Sequence, residues 1–361
     1  MTGVDTVNDL LQVVGEPVRG GYIPRELSGL PGIELLRLLL SERIPRPPIS
    51  YLTGMWLTEV GTGNATFTMP ISGWLKTPQG VATGGEVAML ADGPLGCAVH
   101  SGLPAGVGYT TIELSVSMLR PVPAAGHLVA RGSLVHLGRQ LALSEVVVTD
   151  DAGRLISHGT SRCLVFPLPD PPQPPGDPGP PHQEQLGDWT PPYQRPALGT
   201  VLDDEVWATQ SGIEVMDALI TGALPPPPIG YLLGCSPVDA SEGRCVFEMP
   251  ATGWLTSPLG TVQGGVTATL AELSLACAVQ TTIPNGTAYA PTDLRVQYVR
   301  PVPPDGRTLT ATGTVVHRGR TFAVARADVV NADGKLVATA TGSVLILPGR
   351  RHDLRDLPNA D

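Results

Sequence analysis

The sequence has few charged and aromatic residues for its length. Of its 361 residues, 16% are charged, 4% are aromatic and 42% are hydrophobic. So low a charge content excludes a disordered polyelectrolyte, and the chain can bury a sizeable core. Only Lys76 and Lys335 among the 23 basic residues are lysines, and the net charge is −10. This balance argues against a nucleic-acid platform and against a polybasic membrane-binding surface.

Cysteine is scarce as well. The five cysteines are odd in number and form no Cys-x-x-Cys pair, which favours reduced thiols. No stretch approaches the ~18 apolar residues of a membrane span, and the first ten residues lack the basic start of a signal peptide. No metal cluster, P-loop or dinucleotide glycine motif occurs either. We therefore expect a cytoplasmic protein with no cofactor.

The chain is an internal duplication. At an offset of 180 residues, Pro47 to Tyr51 matches Pro227 to Tyr231 and Met69 to Leu75 matches Met249 to Leu255, and the offset becomes 181 after Gly126. Two copies are too few for a solenoid, so a fused two-fold homodimer is the simpler interpretation.

Between the repeats, the stretch from Pro167 to Pro192 contains 11 prolines in 26 residues, which prevents a helix or a strand ladder. We expect five segments, in chain order: an N-terminal extension over 1–30, a first repeat over 31–166, this linker over 167–192, a second repeat over 193–348 and a tail over 349–361.

Each repeat shows the same order of predicted elements. In the first repeat, Gly32 to Arg43 is an amphipathic helix, Leu52 to Met69 is extended, and Gly85 to His100 is a helix that is apolar on every side and therefore buried. Three alternating segments follow, with a hairpin turn at Asp150 to Gly153. This order predicts an α+β fold in which a curved antiparallel sheet wraps one central helix.

The only charged side chain from Val87 to Val99 is Asp92, and the only one from Val266 to Val279 is Glu272. Burying a carboxylate is costly unless it is paired, hydrogen-bonded or used in chemistry. A structural role, capping a neighbouring loop, is about as good an explanation from this pattern alone. The pairs Gly84-Gly85 and Gly264-Gly265 precede the carboxylates at the helix starts. There the amides and the helix dipole can hold an oxyanion, which favours acyl transfer.

These stretches resemble the hot-dog-fold acyl-CoA thioesterases of the PaaI-like group, whose pattern is Asn-x-x-Gly-x-x-His-Gly-Gly followed by a helix with Asp or Glu. Thr77 to Gly85 with Asp92, and Ser257 to Gly265 with Glu272, follow it. The resemblance implies a double hot-dog in which two curved antiparallel sheets each wrap a central helix as a pseudo-two-fold fused dimer. It also allows a homodimer of the fused chain.

In that family each active site lies between the paired repeats. The resemblance therefore implies one site that combines Asp92 with Ser257, Gln263, Gly264 and Gly265, and another that combines Glu272 with Thr77, Thr83, Gly84 and Gly85. The carboxylate would act as general base or as nucleophile.

The sequence departs from the family pattern at both polar positions of each site. Thr77 and Ser257 replace the family's Asn, and Thr83 and Gln263 replace its His. We favour the Asp92 site because Gln263 can orient water or the thioester oxygen. Against this choice, Gly93-Pro94 should distort the first central helix.

The resemblance further implies that the hairpin residues Gly138, Arg139, Gly319 and Arg320 lie near the pantetheine and nucleotide arm of CoA. Exposed turn residues are an equally good explanation for each of the two arginines taken singly. The leading hypothesis is an acyl-CoA thioesterase, with no nucleic-acid or membrane partner. The alternative is a non-catalytic acyl-CoA or acyl-ligand binding protein on the same fold.

Overall fold

The computed structural model describes residues 10–172 and 187–349. The first nine residues, most of the expected linker and all of the expected tail except Gly349 lie outside these ranges. The described α-helices are α1 Gly32–Leu40, α2 Pro48–Thr53, α3 Gly84–Ser101, α4 Asp204–Thr209, α5 Gly212–Thr221, α6 Pro228–Leu233 and α7 Gly264–Gln280. None of them is long and apolar enough to cross a membrane.

All described strands join one antiparallel sheet. The strands of the first repeat are β1 Trp56–Gly61, β2 Asn64–Pro70, β3 Val107–Met118, β4 His127–Leu137, β5 Leu141–Asp150 and β6 Leu155–Pro167. Those of the second repeat are β7 Ser236–Ser241, β8 Arg244–Pro250, β9 Thr287–Tyr298, β10 Thr308–Arg318, β11 Phe322–Val330 and β12 Leu336–Pro348.

The sheet repeats the duplication in its strand order, which is β1-β2-β4-β5-β6-β3 followed by β9-β12-β11-β10-β8-β7. The two halves meet where β3 pairs with β9, with Val116 opposite Leu294. The two sheets expected from the resemblance are therefore one continuous 12-stranded sheet. The predicted α+β fold with a pseudo-two-fold arrangement is confirmed.

The change of offset between the repeats is explained by a turn. Pro70 pairs with His127, whereas Pro250 pairs with Thr308, so Arg307 is the inserted residue and precedes β10. The strand register is the same in both copies as a result.

The central helices are buried as predicted. Nearly all residues of α7 and most of α3 are shielded from solvent, and their side chains pack into one core that includes residues of both repeats. Helix α3 runs without a break through Pro94, so the expected distortion does not interrupt it. The stretch predicted as extended from Leu52 instead begins in α2, a short helix with Pro48 at its first turn.

Candidate active site

The two central helices contact each other through their N-terminal glycines. A Cβ atom at Gly265 would lie 2.5 Å from Cα of Met89, and one at Gly85 would lie 2.9 Å from Cα of Thr269. Side chains at these two positions would therefore force the helices apart. The N-terminus of each helix thus meets the middle of the other, where the carboxylates lie.

The side chain of Asp92, which belongs to α3, contacts the N-terminus of α7. Its Oδ2 accepts a hydrogen bond from the Gly265 amide at 3.1 Å. Burial raises the pKa of Asp92 to about 6, and the hydrogen bonds from Gly265 and Gly264 limit the increase. The carboxyl is therefore mostly ionised at neutral pH, next to a backbone amide at the positive end of a helix.

A cavity of about 360 Å³ opens at Asp92. This volume is within the range of small-molecule sites. Its wall includes, from both repeats, Leu36, Leu39, Met55, Phe67, Asp92, Gly93, Gly96, Cys97, His100, Tyr109, Ser257, Gln263, Gly264, Tyr298 and Arg300. The cavity joins an ionised carboxylate to an apolar space large enough for an acyl chain.

The loop before α7 contributes Ser257 and Gln263 to this wall. The Gln263 side chain donates from Nε2 to the Met89 carbonyl at 3.0 Å. Its Oε1 is buried and has no hydrogen-bond partner within the described ranges. Gln263 Oε1 can therefore accept a hydrogen bond from a ligand in the cavity, while Nε2 holds the contact with Met89 of α3.

Glu272 occupies the equivalent position at the start of α3. Its Oε2 accepts a hydrogen bond from the Gly85 amide at 2.7 Å and a short one from the Thr83 hydroxyl. Thr83 also donates its amide to Glu86, at 2.6 Å, in the capping box of α3. Thr83 therefore donates hydrogen bonds to two buried carboxyl groups, those of Glu272 and Glu86.

This surrounding changes the protonation of Glu272. Burial, together with the charge of Glu86, raises the pKa of Glu272 to about 8 despite the hydrogen bonds from Thr83 and Gly85. Burial also raises the pKa of Glu86. Glu272 is therefore mainly protonated at neutral pH, and a protonated carboxyl is a poor general base.

The space around Glu272 is divided. A cavity of about 30 Å³ adjoins the carboxyl, and a separate one of about 220 Å³ lies beyond it; both have Pro78, Leu273 and Cys277 in their walls. Leu273 is the counterpart of Gly93, so a leucine side chain stands where the first repeat has none. The space at Glu272 itself holds about one or two water molecules rather than an acyl chain.

Other predicted site residues fall into two groups. Gly84 faces Glu272, since a Cβ there would lie 2.6 Å from Oε1, and Thr77 donates its hydroxyl to the Val81 carbonyl at 2.8 Å within its own turn. The hairpin residues Gly138, Arg139, Gly319 and Arg320 lie in the β4–β5 and β10–β11 turns, where both arginines are exposed. Within the described ranges, these four are not in the wall of any of the three cavities above. A contact with CoA stays a prediction.

Sequence reasoning missed several polar residues around the carboxylates. Glu86 could have been found from its Thr-x-x-Glu capping spacing. His100, Tyr109 and Tyr298 line the Asp92 cavity without a sequence signal, because only the fold brings them together. Arg300 follows β9, donates from Nη1 to the Leu336 carbonyl and also lines the cavity. No cluster of three or more His, Cys, Asp or Glu side chains suited to a metal ion occurs in residues 10–172 and 187–349.

Comparison with known proteins places the chain in a family. A family model described as the thioesterase superfamily matches residues 79–157 and 259–338, one region in each repeat. Acyl-coenzyme A thioesterase 13 of Homo sapiens is 32% identical over 106 residues, which cover 28% of this chain and 71% of that protein.

A solved structure that covers most of this chain supports the hot-dog fold. The structure of a conserved hot-dog protein of unknown function from Alicyclobacillus acidocaldarius covers 82% of this chain and 97% of its own, with 15% identity and a TM-score of 0.51. The E. coli PaaI protein is 28% identical, covers 33% of this chain and 84% of its own, and has a TM-score of 0.31. The chain belongs to the thioesterase superfamily and is a thioester hydrolase, with two hot-dog repeats fused in one polypeptide.

Proposed function

We propose that the protein hydrolyses an acyl-CoA to a free acid and CoA at the Asp92 site. The observation that carries the proposal is the position of Asp92, which lies within hydrogen-bond distance of the Gly265 amide in the wall of a 360 Å³ cavity. A general base, an oxyanion donor and an acyl-sized space are thus next to one another. Relatives named as acyl-CoA thioesterases support CoA as the thiol.

The geometry supports a water-attack mechanism. In this mechanism the thioester carbonyl oxygen displaces Asp92 Oδ2 from the Gly265 amide, which donates to Oδ2 in the free protein. The carbonyl carbon then lies beside the Asp92 carboxylate. Asp92 takes a proton from a water molecule as the water oxygen bonds to that carbon, and the amide and the dipole of α7 stabilise the oxyanion. Collapse breaks the carbon–sulfur bond, and the proton held by Asp92 passes to the CoA thiolate.

We assign Gln263 the role of orienting the water or the thioester. Its Oε1 has no partner among the described residues and lies at the cavity wall, so it can accept a hydrogen bond from the attacking water. Gly264, Ser257 and the hairpin arginines Arg139 and Arg320 complete the proposed substrate contacts. The arginines would pair with CoA phosphates beyond the cavity, where they are exposed to solvent.

The second pseudo-site is proposed to be structural. Glu272 is mainly protonated at neutral pH, is hydrogen-bonded to Thr83 and Gly85, and adjoins a space of about 30 Å³. Neither a general base nor an acyl pocket is available there. The Glu272 carboxyl instead joins α7 to the start of α3.

The test is thiol release from a panel of short, medium, long and aromatic acyl-CoAs, measured with a thiol-trapping dye. Asp92→Asn, which is nearly isosteric, should lower kcat by about 100-fold or more, whereas Glu272→Gln should keep hydrolysis close to the wild-type rate. Gln263→Ala should lower kcat without preventing folding. Full activity in Asp92→Asn would refute the assignment, and loss of activity only in Glu272→Gln would move the active site to the other helix.

A further inference from the structure

The Asp92 cavity has a polar end that the proposed hydrolysis does not use. His100 and Tyr109 both line it, and their rings are in contact with centroids 5.3 Å apart. Within the described ranges, neither the imidazole nor the Tyr109 hydroxyl has a hydrogen bond to another protein group. An unsatisfied polar group at an apolar cavity lowers stability unless water or a ligand completes it.

This polar pair lies far from the reacting carboxylate. Asp92 and His100 are eight residues apart on the continuous helix α3, a rise of about 12 Å along its axis. Gly93 and Gly96 lie between them on the same wall, and Leu39, from α1, is one of the apolar side chains facing this space. An acyl chain bound at Asp92 and following α3 would therefore bring its far end to His100.

In the second repeat, the side chains at the two equivalent positions are hydrogen-bonded to each other. Tyr289 is the counterpart of Tyr109 and donates its hydroxyl to Oε1 of Gln280, the counterpart of His100, at 2.5 Å. In the first repeat, Gly96 leaves room for the tyrosine hydroxyl, because a Cβ there would lie 2.7 Å from Tyr109 Oη. In the first repeat, His100 and Tyr109 both line the Asp92 cavity and are not hydrogen-bonded to each other. In the second repeat, Tyr289 and Gln280 are hydrogen-bonded to each other.

The charges around the cavity restrict what can bind there. Burial lowers the pKa of His100 to about 4 and raises that of Cys97 to about 12, so both side chains are uncharged at neutral pH. The basic side chain in the described wall is Arg300, from the loop after β9, and its Nη1 donates to the Leu336 carbonyl. A carboxylate at the His100 end would lie beside two uncharged side chains, His100 and Tyr109, which makes the burial of its charge costly.

We propose that His100 and Tyr109 select an aliphatic acyl group of medium length that carries a hydroxyl, or another neutral hydrogen-bonding group, near its far end. This inference rests on the proposed acyl-CoA hydrolysis at Asp92 and names the substrate class of that site. The neutral imidazole offers one donor and one acceptor, and the phenol offers both, so a terminal hydroxyl can pair with either residue. A dicarboxylic half-thioester is excluded by its charge.

The test compares octanoyl-CoA, ω-hydroxyoctanoyl-CoA and the CoA half-thioester of octanedioic acid on the full chain. The ω-hydroxy substrate should show a kcat/KM about tenfold above octanoyl-CoA, mainly through a lower KM, because its hydroxyl forms one buried hydrogen bond with His100 or Tyr109. The dicarboxylic substrate should be the poorest. Equal kcat/KM for the first two, or a preference for the dicarboxylic one, would overturn the proposal.

Variants of His100 and Tyr109 test whether these two residues cause the preference for ω-hydroxyoctanoyl-CoA. Tyr109→Phe removes only the hydroxyl, and His100→Leu removes the imidazole; each should reduce the ω-hydroxy preference while octanoyl-CoA is still hydrolysed. Tyr289→Phe, the matched change in the second repeat, should leave the ratio of the two kcat/KM values unchanged. A preference that survives in both Tyr109→Phe and His100→Leu would refute the assignment.

A binding measurement separates this inference from the proposed function. Thermal stabilisation of the Asp92→Asn protein by each acyl-CoA reports selection without turnover. If no substrate is hydrolysed by the wild-type protein, the proposed function fails, and the shift in Tm caused by ω-hydroxyoctanoyl-CoA relative to octanoyl-CoA still decides the inference. A larger shift for the ω-hydroxy compound supports it, and equal shifts overturn it.

Discussion

At the scale of single residues, Asp92 and Glu272 differ in their neighbours rather than in their position. Both accept a hydrogen bond from a glycine amide at the start of the opposite helix. Glu272 also faces a second carboxyl, Glu86, and burial with that charge raises its pKa further than burial alone raises the pKa of Asp92. At neutral pH, the duplicated carboxyl group is therefore mostly ionised at Asp92 and mostly protonated at Glu272.

The pH dependence of hydrolysis should identify the working carboxylate. With Asp92 as general base, kcat/KM should rise with pH through a midpoint near 6 and then level off, because the carboxylate loses its proton in that range. With Glu272 as base, the midpoint would lie near 8. A pH–rate profile of the wild-type protein with a single acyl-CoA distinguishes the two, and a midpoint near 8 would contradict the choice of Asp92.

Protonation of Glu272 also links stability to pH. Its pKa is raised from 4.5 to about 8 in the folded protein, so its contribution to stability is fully present below about pH 4.5 and is lost as the pH rises through about 8. The neutral Glu272→Gln variant should flatten that decline. The check is the free energy of unfolding from denaturant titrations between pH 5 and pH 8. The same slope in both proteins would show that Glu272 is not the titrating group.

At the scale of elements, the sequence predicted the helices and strands that carry either a hydrophobic period or a long apolar run with clear turn signals. The buried helix from Gly85 to His100 and the turn at Asp150 to Gly153 are where the pattern indicated. Helix α2 was missed because a six-residue helix that starts at Pro48 shows no period. The opening of one cavity and the division of the other could not be predicted, since they depend on which side chains meet across the repeats.

Residue 93 of α3 should control the depth of the Asp92 cavity. Gly93→Leu installs the residue that the second repeat has at Leu273, and its side chain would enter the space toward Phe67, where a Cβ already comes within 3.0 Å of the ring. We expect kcat/KM for octanoyl-CoA to fall by about tenfold or more, with acetyl-CoA affected less.

A folding control accompanies this change. Because leucine favours a helix interior over glycine, the Tm of Gly93→Leu should not fall by more than a few degrees. Gly93→Ala should give an intermediate loss of octanoyl-CoA hydrolysis. Unchanged octanoyl-CoA kinetics in Gly93→Leu would mean that the acyl chain does not pass this position.

At the scale of the whole molecule, segments outside the central helices cross between the repeats. Trp74 donates its indole N–H to the Arg195 carbonyl at 3.0 Å, and Trp254 donates to the Glu16 carbonyl at 2.9 Å. Residues 10–23 thus pack on the second repeat, and residues around Arg195 pack on the first. The part of the expected N-terminal extension that the structure describes therefore has a counterpart in the segment around Arg195.

These two crossing segments meet in an ion pair. Arg195 binds both carboxylate oxygens of Glu16, and the Trp189 indole donates to Glu16 at 3.1 Å. The pKa of Glu16 lies below its ordinary value of 4.5, mainly because Arg195 donates a hydrogen bond to the carboxylate. The contribution of this pair to stability is therefore present above about pH 4.5 and is lost as the pH falls below it.

Glu16→Gln should weaken the whole fold rather than one repeat. Because one core includes residues of both repeats, we expect a single unfolding transition in the wild type and in the variant. The variant should lose about 1–2 kcal/mol of unfolding free energy at pH 7, and the difference should shrink as the pH falls below 4.5. Urea titrations followed by tryptophan fluorescence and by circular dichroism measure both quantities.

Asp239→Asn is the matched control for this change. It removes the carboxylate of the exposed Arg244–Asp239 pair, which lies within one hairpin, and should not measurably change stability. An effect of Glu16→Gln no larger than that of this control would mean that the ion pair does not join the repeats. Two separate transitions, seen at different urea concentrations by the two probes, would mean that each repeat unfolds independently despite the shared core.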